Sequence, residues 1–421
     1  MTVPANVGIA STDQGYAPLR ELYPSLSVPE LYGYSKSPLW TMCHKEADFT
    51  GEVYKLDYAH DGMSYGWTLS DAENIRQSPQ FENAKLTRAK GYAVGRMENE
   101  AIAATKNDAG AAVRLYERTM KSAMKAMIRM MAGGMYRNGM SRGTIATGGI
   151  SSNTITLTNK TDTHNFTVGQ TIQLNTSADG SGTTHSGGSE NHEITSINNQ
   201  AGTLTVATLA SDAAAGDHVI CGSSDADLSI AVPISGLERI IPITAPTAGS
   251  DLYFGCDRGI NVNKLSGWRL NEPSLQVKNV VQKLAAIMAS GEAEADCVFM
   301  NPMTHYKLYE ELNANMERLP GGMGVDGFEG FRAPSALGPL KFYADPYCPE
   351  NRIFIGNTDK ESLRFPHLGE CPQYADEDGN TLRQVSPQVG DAVQFFLRFW
   401  GQLAIPVPLN WGVAAITPVN Y

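Results

Sequence analysis

Residues 144 to 227 differ sharply in composition from the sequence on either side of them. They are rich in Ser, Thr, Asn and Gly and contain almost no Lys or Arg. Several stretches alternate between apolar and polar residues, as β-strands do, and Gly- and Asn-rich turns separate them: TITLT, NFTVGQTIQL, HEITSI and GTLTVATL. This pattern predicts a small β-barrel or β-sandwich that is inserted into the main domain.

The segment before this insert has the strongest helical pattern in the chain. Asp108 is a typical N-cap and Gly133-Gly134 a typical stop, which predicts a helix from 108 to about 132. An apolar stripe recurs along it at spacings of three and four and consists of Val113, Tyr116, Met120, Met124, Met127 and Met131. A basic stripe beside it consists of Arg114, Arg118, Lys121, Lys125 and Arg129. We interpret the methionines as core residues, whereas the basic stripe is either a solvated face or a contact for an acidic partner or packaged nucleic acid.

The proline spacing and the apolar content of residues 1 to 45 predict an arm rather than a folded unit. Closely spaced prolines exclude long regular elements, yet large apolar side chains remain frequent, which is unusual for a disordered tail. We therefore expect an extended arm that binds another surface, with Leu19, Leu22 and Tyr23 among its contacts.

Residues 46 to 105 predict a long two-stranded loop. DFTGEVYKLD alternates as a strand, and LTRAKGYAVGRME indicates a second extended segment from 86 to 98. HDGMSYGW, residues 60 to 67, forms the turn region between them. Because an exposed two-stranded loop cannot bury its own apolar residues, we expect it to need a partner surface. The anchors that we predict for this contact are Met63, Tyr65 and Trp67.

The sequence after residue 227 returns to a mixed pattern of helices and strands. EPSLQVKNVVQKLAAIMASGE, from 272 to 292, predicts an amphipathic helix that ends near Gly291. ADCVFMNP predicts a buried strand, and MTHYKLYEELNANM predicts a second helix. GPLKFYADPYCPENRIFIGN predicts two strands around a Pro-containing turn.

Composition and the distribution of reactive side chains argue against several classes of function. The net charge of −11 disfavours tight nucleic-acid binding as the main role. The N-terminal sequence lacks the pattern of a secretory signal, and no apolar stretch approaches the roughly 18 residues of a membrane span. The six cysteines form no C-x-x-C pair, and His60, near Asp57 and Asp61, is interpreted as part of a solvated polar turn. We therefore predict no metal site, no cofactor and no membrane partner.

One short motif points instead to catalysis. Gly62-Met63-Ser64-Tyr65-Gly66 matches the G-x-S-x-G pattern of serine hydrolases. Such a nucleophile elbow needs a buried strand that runs into a helix, within a series of parallel βαβ units. The strand before Ser64 is amphipathic and YGWTLSDAEN follows it, so we interpret the match as a turn and the chain as not an enzyme. A second alternative to be weighed is a structural protein of another kind, such as a tail-tube, decoration or adhesin protein. The helix-containing body disfavours an adhesin.

The order of these segments resembles the major capsid protein of tailed bacteriophages, the Hong Kong 97-like fold. LTRAKGYAVGRMENEAIAATKNDAGAAVRLYERTMKSAM resembles the junction where the extended loop returns and feeds the long spine helix. CVFMNPMTHYKLYEEL resembles the strand, Asn-Pro turn and helix of the axial domain, and GPLKFYADPYCPENRIFIGN resembles the strand pair that follows it. The resemblance covers most of the chain outside 144 to 227.

This resemblance implies an α+β fold with a defined order of parts. These are an N-terminal arm (1–45), an extended loop (46–105), the spine helix of a peripheral domain (106–143), an inserted β-barrel-like domain (144–227), peripheral strands (228–271), an axial domain (272–385) and a C-terminal return to the peripheral domain (386–421). Some relatives crosslink a lysine of the extended loop to an asparagine. Lys55 lies in this loop, but no motif matches the other residues of that reaction, so no crosslink is carried over.

The resemblance also implies a function and partners. Such subunits form hexamers and pentamers that close an icosahedral head shell around double-stranded DNA, which the lumen contacts weakly and without sequence specificity. The expected partners are further copies of the chain, a portal, a separate scaffolding protein and, in some relatives, a decoration protein. The expected location is the virion, after assembly in the cytoplasm of a bacterial host.

Overall fold

The computed structural model describes residues 37–62, 65–74, 78–105, 115–185, 192–222, 232–313, 332–374, 382–384 and 391–418. Several predicted features therefore lie outside the described residues: the arm contacts Leu19, Leu22 and Tyr23, the turn residues Met63 and Ser64, and the helix residues Asp108, Val113 and Arg114. The side chain of Tyr116 is also outside the described part of the structure.

The described residues form eight α-helices, two 3₁₀ helices and twenty-two strands. The helices are α1 (Pro38–Met42), α2 (Leu69–Asn74), α3 (Asn99–Thr105), α4 (Leu115–Tyr136), α5 (Leu237–Ile240), α6 (Val262–Ser266), α7 (Val277–Ser290) and α8 (Pro302–Asn313), with 3₁₀ helices at Lys160–Asn165 and Pro408–Asn410. The strands are β1 (His44–Glu46), β2 (Val53–Asp61), β3 (Gln80–Thr87), β4 (Ala89–Glu98), β5 (Ser141–Ser151), β6 (Thr154–Leu157), β7 (Thr171–Asn175), β8 (His192–Asn198), β9 (Thr203–Val206), β10 (His218–Cys221), β11 (Leu252–Tyr253), β12 (Cys256–Asp257), β13 (Trp268–Asn271), β14 (Cys297–Met300), β15 (Arg332–Ser335), β16 (Gly338–Ala344), β17 (Arg352–Gly356), β18 (Arg364–Pro366), β19 (Gln373–Tyr374), β20 (Arg383–Gln384), β21 (Ala392–Gly401) and β22 (Gly412–Ala415).

A six-stranded sheet in the order β13-β22-β17-β14-β16-β15 lies between two hydrophobic cores. Its central strand β14 is buried on both faces, as the sequence CVFM predicts. Val298 and Met300 pack in the core of α7, whereas Cys297 and Phe299 pack in the main core of the molecule. The predicted helix before β14 is confirmed as α7 with Gly291 at its end, and the helix after it is confirmed as α8.

The two strands predicted in GPLKFYADPYCPENRIFIGN are confirmed as β16 and β17. They are not partners, because β14 lies between them and pairs with both. It runs parallel to β16 and antiparallel to β17. Adjacent segments of a sequence often pair directly, but the apolar character of β14 on both faces favours a central position in the sheet.

A second sheet is built on the ten-residue strand β4, which pairs with β21 from Ala89↔Gly401 to Glu98↔Ala392. The helix α4 packs on one face of this sheet, with Met127 and Met131 buried. On the same face, an added Cβ at Gly91 would lie 2.1 Å from the ring of Phe399, so glycine leaves room for the aromatic core. The methionine stripe is therefore core, as interpreted.

The expectation that Gly133-Gly134 ends this helix is wrong. Helix α4 continues through both glycines to Tyr136, which is fully buried. A Cβ at Gly134 would lie only 3.3 Å from Cβ of Ile234, so the small residue permits close packing here. Tertiary burial of Met135 and Tyr136 outweighs the low helix propensity of glycine, which costs about 1 kcal/mol relative to alanine.

The insert is a closed antiparallel barrel in the order β10-β5-β6-β9-β8-β7. The four predicted strand stretches contain β6, β7, β8 and β9. Strand β5 begins at Ser141, three residues before the expected start of the insert, and its Gly- and Thr-rich sequence gave no clear alternation. The barrel has its own core of Ile, Leu, Val and Phe side chains, which include Ile155, Ile172, Leu174 and Leu204.

The 3₁₀ helix of the insert attaches the barrel to the body through buried polar groups. Arg137, at the end of α4, forms an ion pair with Asp162, and both side chains are buried. Burial raises the pKa of the Asp162 carboxyl, and the Arg137 guanidinium opposes that shift. The Thr161 hydroxyl donates a hydrogen bond of 3.3 Å to Glu350, which belongs to the loop between β16 and β17. The insert therefore contacts both the long helix and the six-stranded sheet region.

Candidate functional site

The β2–β3 ribbon is the predicted two-stranded loop, but its structure differs from the expectation in two respects. First, the return strand that pairs with β2 is β3, whereas β4 belongs to the body sheet. Second, one face of the ribbon is buried on the chain itself. Leu56 and Tyr58 are each 6% exposed, and Ala84 and Leu86 are fully buried. The expectation that this loop cannot bury its own apolar residues is therefore wrong for this face.

The surface that covers the ribbon is formed mainly by the segment from β11 to α6. The Lys85 amide donates a 3.0 Å hydrogen bond to the Phe254 carbonyl, and β12 packs against β3. The Tyr58 hydroxyl donates a 3.3 Å hydrogen bond to the carbonyl of Ile405. Side chains on the outer face of the ribbon, such as Lys55 and Asp57, remain exposed and form an ion pair with each other at 2.7 Å.

The end of the ribbon exposes large apolar side chains. Tyr65 is 81% exposed and Trp67 is 95% exposed, so two of the three predicted anchors lie at the surface. Leu69, two residues after Trp67, is 77% exposed, and Phe81, at the start of β3, is 67% exposed. Neither residue was predicted. Both residues lie in polar stretches. For Phe81, the signal in the sequence is a single Phe among the Gln, Glu, Asn and Lys residues of β3. We call Tyr65, Trp67, Leu69 and Phe81 the ribbon tip.

A polar cluster lies directly before the ribbon tip, at the end of β2. The Asp61 carboxylate accepts hydrogen bonds from Lys264 Nζ at 3.0 Å and from Asn261 Nδ2 at 3.2 and 3.3 Å. His60 Nδ1 lies 2.8 Å from the same carboxylate. These contacts, with that of His60 the largest, lower the pKa of Asp61 from 3.8 to about 2. His60 itself is only 6% exposed and lies in β2, so its interpretation as part of a solvated turn is wrong.

The basic stripe of α4 lies away from the core. Lys121, Lys125 and Arg129 follow the helical repeat on the side largely opposite to Met127 and Met131, which face the sheet. Lys121 is exposed, whereas Arg118, Lys125 and Arg129 are half-buried. The geometry permits contact with an anionic surface, and it equally suits a solvated face.

The surroundings of Ser64 differ from those of a nucleophile elbow. The preceding strand, β2, belongs to a two-stranded antiparallel ribbon rather than to a central parallel sheet. The next helix, α2, begins only at Leu69. An elbow requires the strand to pass through the serine directly into a helix.

No protein-family model matches the chain, and no curated protein matches it in sequence. The structure is similar to the capsid asymmetric unit of cyanophage A-1(L), with a TM-score of 0.54 and 11% identity over 97% of this chain and 99% of that one. The capsid of an empty GTA particle aligns with a TM-score of 0.48 and 8% identity over 97% and 98%. The holo-SrpI encapsulin of Synechococcus elongatus aligns with a TM-score of 0.44 and 7% identity over 94% and 92%.

The chain has the Hong Kong 97-like capsid fold. Within the described part of this capsid fold, no three His, Cys, Asp or Glu side chains are grouped so that they could hold a metal ion. Among the same residues, no helix is both long and apolar enough to cross a bilayer. Burial raises the pKa of Cys43 and Cys371, so these thiols are poorly suited to act as nucleophiles.

Proposed function

We propose that this chain is the major capsid protein of a tailed bacteriophage, which assembles into hexamers and pentamers of an icosahedral shell around double-stranded DNA. The observation that carries this proposal is the ribbon tip. Four large apolar side chains are more than two-thirds exposed at the end of a ribbon whose other face is already buried. Burial of each of these side chains against a partner would contribute about 1.5–3 kcal/mol, which gives a subunit with these exposed groups a reason to associate.

The partner that we propose for the ribbon tip is a second copy of the chain. A contact between the tip of one copy and a different surface of the next is heterologous, and heterologous contacts form rings such as hexamers and pentamers when the rotation between copies closes. The outer face of β4 offers an apolar surface of this kind, because Tyr92 and Val94 are 57% and 56% exposed there. In this scheme Met63 adds to the tip, and the arm residues Leu19, Leu22 and Tyr23 make a further contact between copies.

The remaining roles follow from charge and from the resemblance to capsid proteins. The basic stripe Arg114, Arg118, Lys121, Lys125 and Arg129 faces the packaged DNA, which it contacts weakly and without sequence specificity. The net charge of −11 supports a lumen that holds DNA loosely rather than tightly. A portal, a separate scaffolding protein and a decoration protein are the other expected partners. Assembly takes place in the cytoplasm of a bacterial host, and the protein resides in the virion as a structural component without catalytic activity.

Electron microscopy of the purified full-length chain tests this proposal. We expect closed shells, either from the chain alone or after coexpression with the genes that neighbour it. Sedimentation should show a large particle together with small oligomers. A chain that stays a monomer or small oligomer in every assembly condition, or that hydrolyses an ester substrate, would contradict the proposal.

A further inference from the structure

The β2–β3 ribbon is attached to the body at its far end as well as at its base. The Lys85 amide near the base and the Tyr58 hydroxyl farther along β2 both bind carbonyls of the body. At the far end, Asp61 is the last residue of β2 and binds residues 200 and 203 positions later in the chain. The ribbon is therefore a strap with attachments along its length rather than a free arm.

The attachment at the far end is a charge-assisted cluster. Lys264 Nζ and Asn261 Nδ2 donate to the Asp61 carboxylate, and the side chain of Asn261 also caps α6 by accepting a 3.4 Å hydrogen bond from the Lys264 amide. The cap orients both donors from one short helix, so that they converge on a single acceptor. Charge-assisted hydrogen bonds are about twice as strong as neutral ones.

This cluster leaves the apolar side chains of the ribbon tip exposed. Trp67 remains 95% exposed and Tyr65 81% exposed while Asp61 is bound. Ile260, the neighbour of Asn261, is also 54% exposed, so the body adds apolar surface on its own side of the cluster. An autoinhibitory contact would cover these residues. The cluster instead fixes where the chain leaves the body before it forms the tip.

We propose that Asp61, Asn261 and Lys264 are positioning residues that hold the ribbon tip in place for docking to a second copy of the chain. This inference rests on the proposed assembly function. A tip that is held before contact loses less conformational entropy on binding, so the cluster raises the rate and yield of assembly without touching the partner.

Three variants of the full-length chain test the inference. Asp61→Asn removes the charge of the acceptor, Lys264→Met removes the charged donor, and Lys264→Arg keeps a charged donor at the same position. The matched control is Lys55→Met, which breaks the exposed Lys55–Asp57 pair within the same strand and leaves every contact with the body intact.

Hydrogen–deuterium exchange of the unassembled subunit gives the first measurement. Ribbon peptides from 53–61 and 80–87 should exchange roughly three- to tenfold faster in Asp61→Asn and Lys264→Met, because local opening becomes easier. The control and Lys264→Arg should exchange as the wild type does. Equal exchange in all variants would show that the cluster of Asp61, Asn261 and Lys264 does not hold the ribbon.

Assembly kinetics, followed by light scattering and electron microscopy, give the second measurement. The rate of shell formation should fall by a similar factor in Asp61→Asn and Lys264→Met, and it should match the wild type in Lys264→Arg. Faster exchange with unchanged assembly would overturn the positioning role. A wild-type chain that forms no shells would overturn the proposed function. The exchange measurement would still decide whether the cluster holds the ribbon.

Discussion

The inserted barrel and the β2–β3 ribbon are both antiparallel β-structures, but they handle their strand edges differently. The barrel closes on itself through the β10–β5 and β10–β7 pairs, so its strands pair and its core is buried within one chain. The ribbon does not close on itself: it has two strands and only one buried face, the Lys85 amide of β3 bonds to the body, and its tip exposes Trp67 almost completely. Closure removes the need for a partner, whereas an open ribbon with an exposed apolar tip creates one.

This difference separates two kinds of free energy in the same molecule. Contacts of the barrel with the body are made within the subunit and should appear in its free energy of unfolding. If the ribbon tip contacts another copy, as proposed, its contacts should appear only in assembly. This distinction would be wrong if a mutation at the barrel–body contact changed only assembly, or if a mutation at the ribbon tip changed the free energy of unfolding of the subunit.

The largest expected effect on folding comes from the buried ion pair that attaches the barrel. Arg137→Met should destabilise the subunit by about 3–5 kcal/mol, because Asp162 remains buried at 3% exposure without its charged partner. Chemical denaturation of the unassembled subunit gives the measurement. The control is Lys283→Met, which breaks the exposed Lys283–Glu272 pair and should cost less than about 1 kcal/mol. Equal costs for the two variants would show that the barrel is not held by this pair.

Trp67→Ala should have the converse profile. The free energy of unfolding of the subunit should change by less than about 0.5 kcal/mol, since the indole is 95% exposed. Each contact between subunits should weaken by about 2 kcal/mol or more if Trp67 is an anchor, so shells should be fewer or less stable by electron microscopy and sedimentation. Ser64→Ala is the matched control and should change neither quantity. Normal shells of equal stability from Trp67→Ala would disprove the anchor.

Local patterns in the sequence predicted the elements better than their partners. Four consecutive apolar residues were sufficient to predict β14, and Gly291 to predict the end of α7. The alternation in DFTGEVYKLD correctly predicted the strand β2, but it carries no information about which surface buries the apolar face of that strand. That surface lies about 200 residues away in the chain, and so do Asn261 and Lys264, the partners of Asp61.

The errors have a common physical origin in tertiary packing. Gly133-Gly134 is a helix stop by local propensity, but the burial of Met135 and Tyr136 keeps the helix intact. His60 resembled a solvated residue because acidic neighbours surround it in sequence, yet the alternation of β2 places its imidazole on the buried face. The exposed side chains of the ribbon tip were predictable only in part, since exposure depends on what the rest of the chain leaves uncovered.

The smallest expected effect concerns the pH dependence of the ribbon. Because contacts with His60, Lys264 and Asn261 lower the pKa of Asp61 from 3.8 to about 2, the folded ribbon favours the ionised carboxylate. The stabilisation from this group is complete above about pH 4 and is lost as the pH falls towards 2. Hydrogen exchange of peptide 53–61, corrected for the intrinsic rate, should therefore accelerate over that interval, while the peptides of the closed barrel show no transition from this group. Asp61→Asn should abolish the acceleration, because the amide does not titrate. An acid transition of equal size in that variant would show that another carboxylate causes the pH dependence and that ionisation of Asp61 does not stabilise the ribbon.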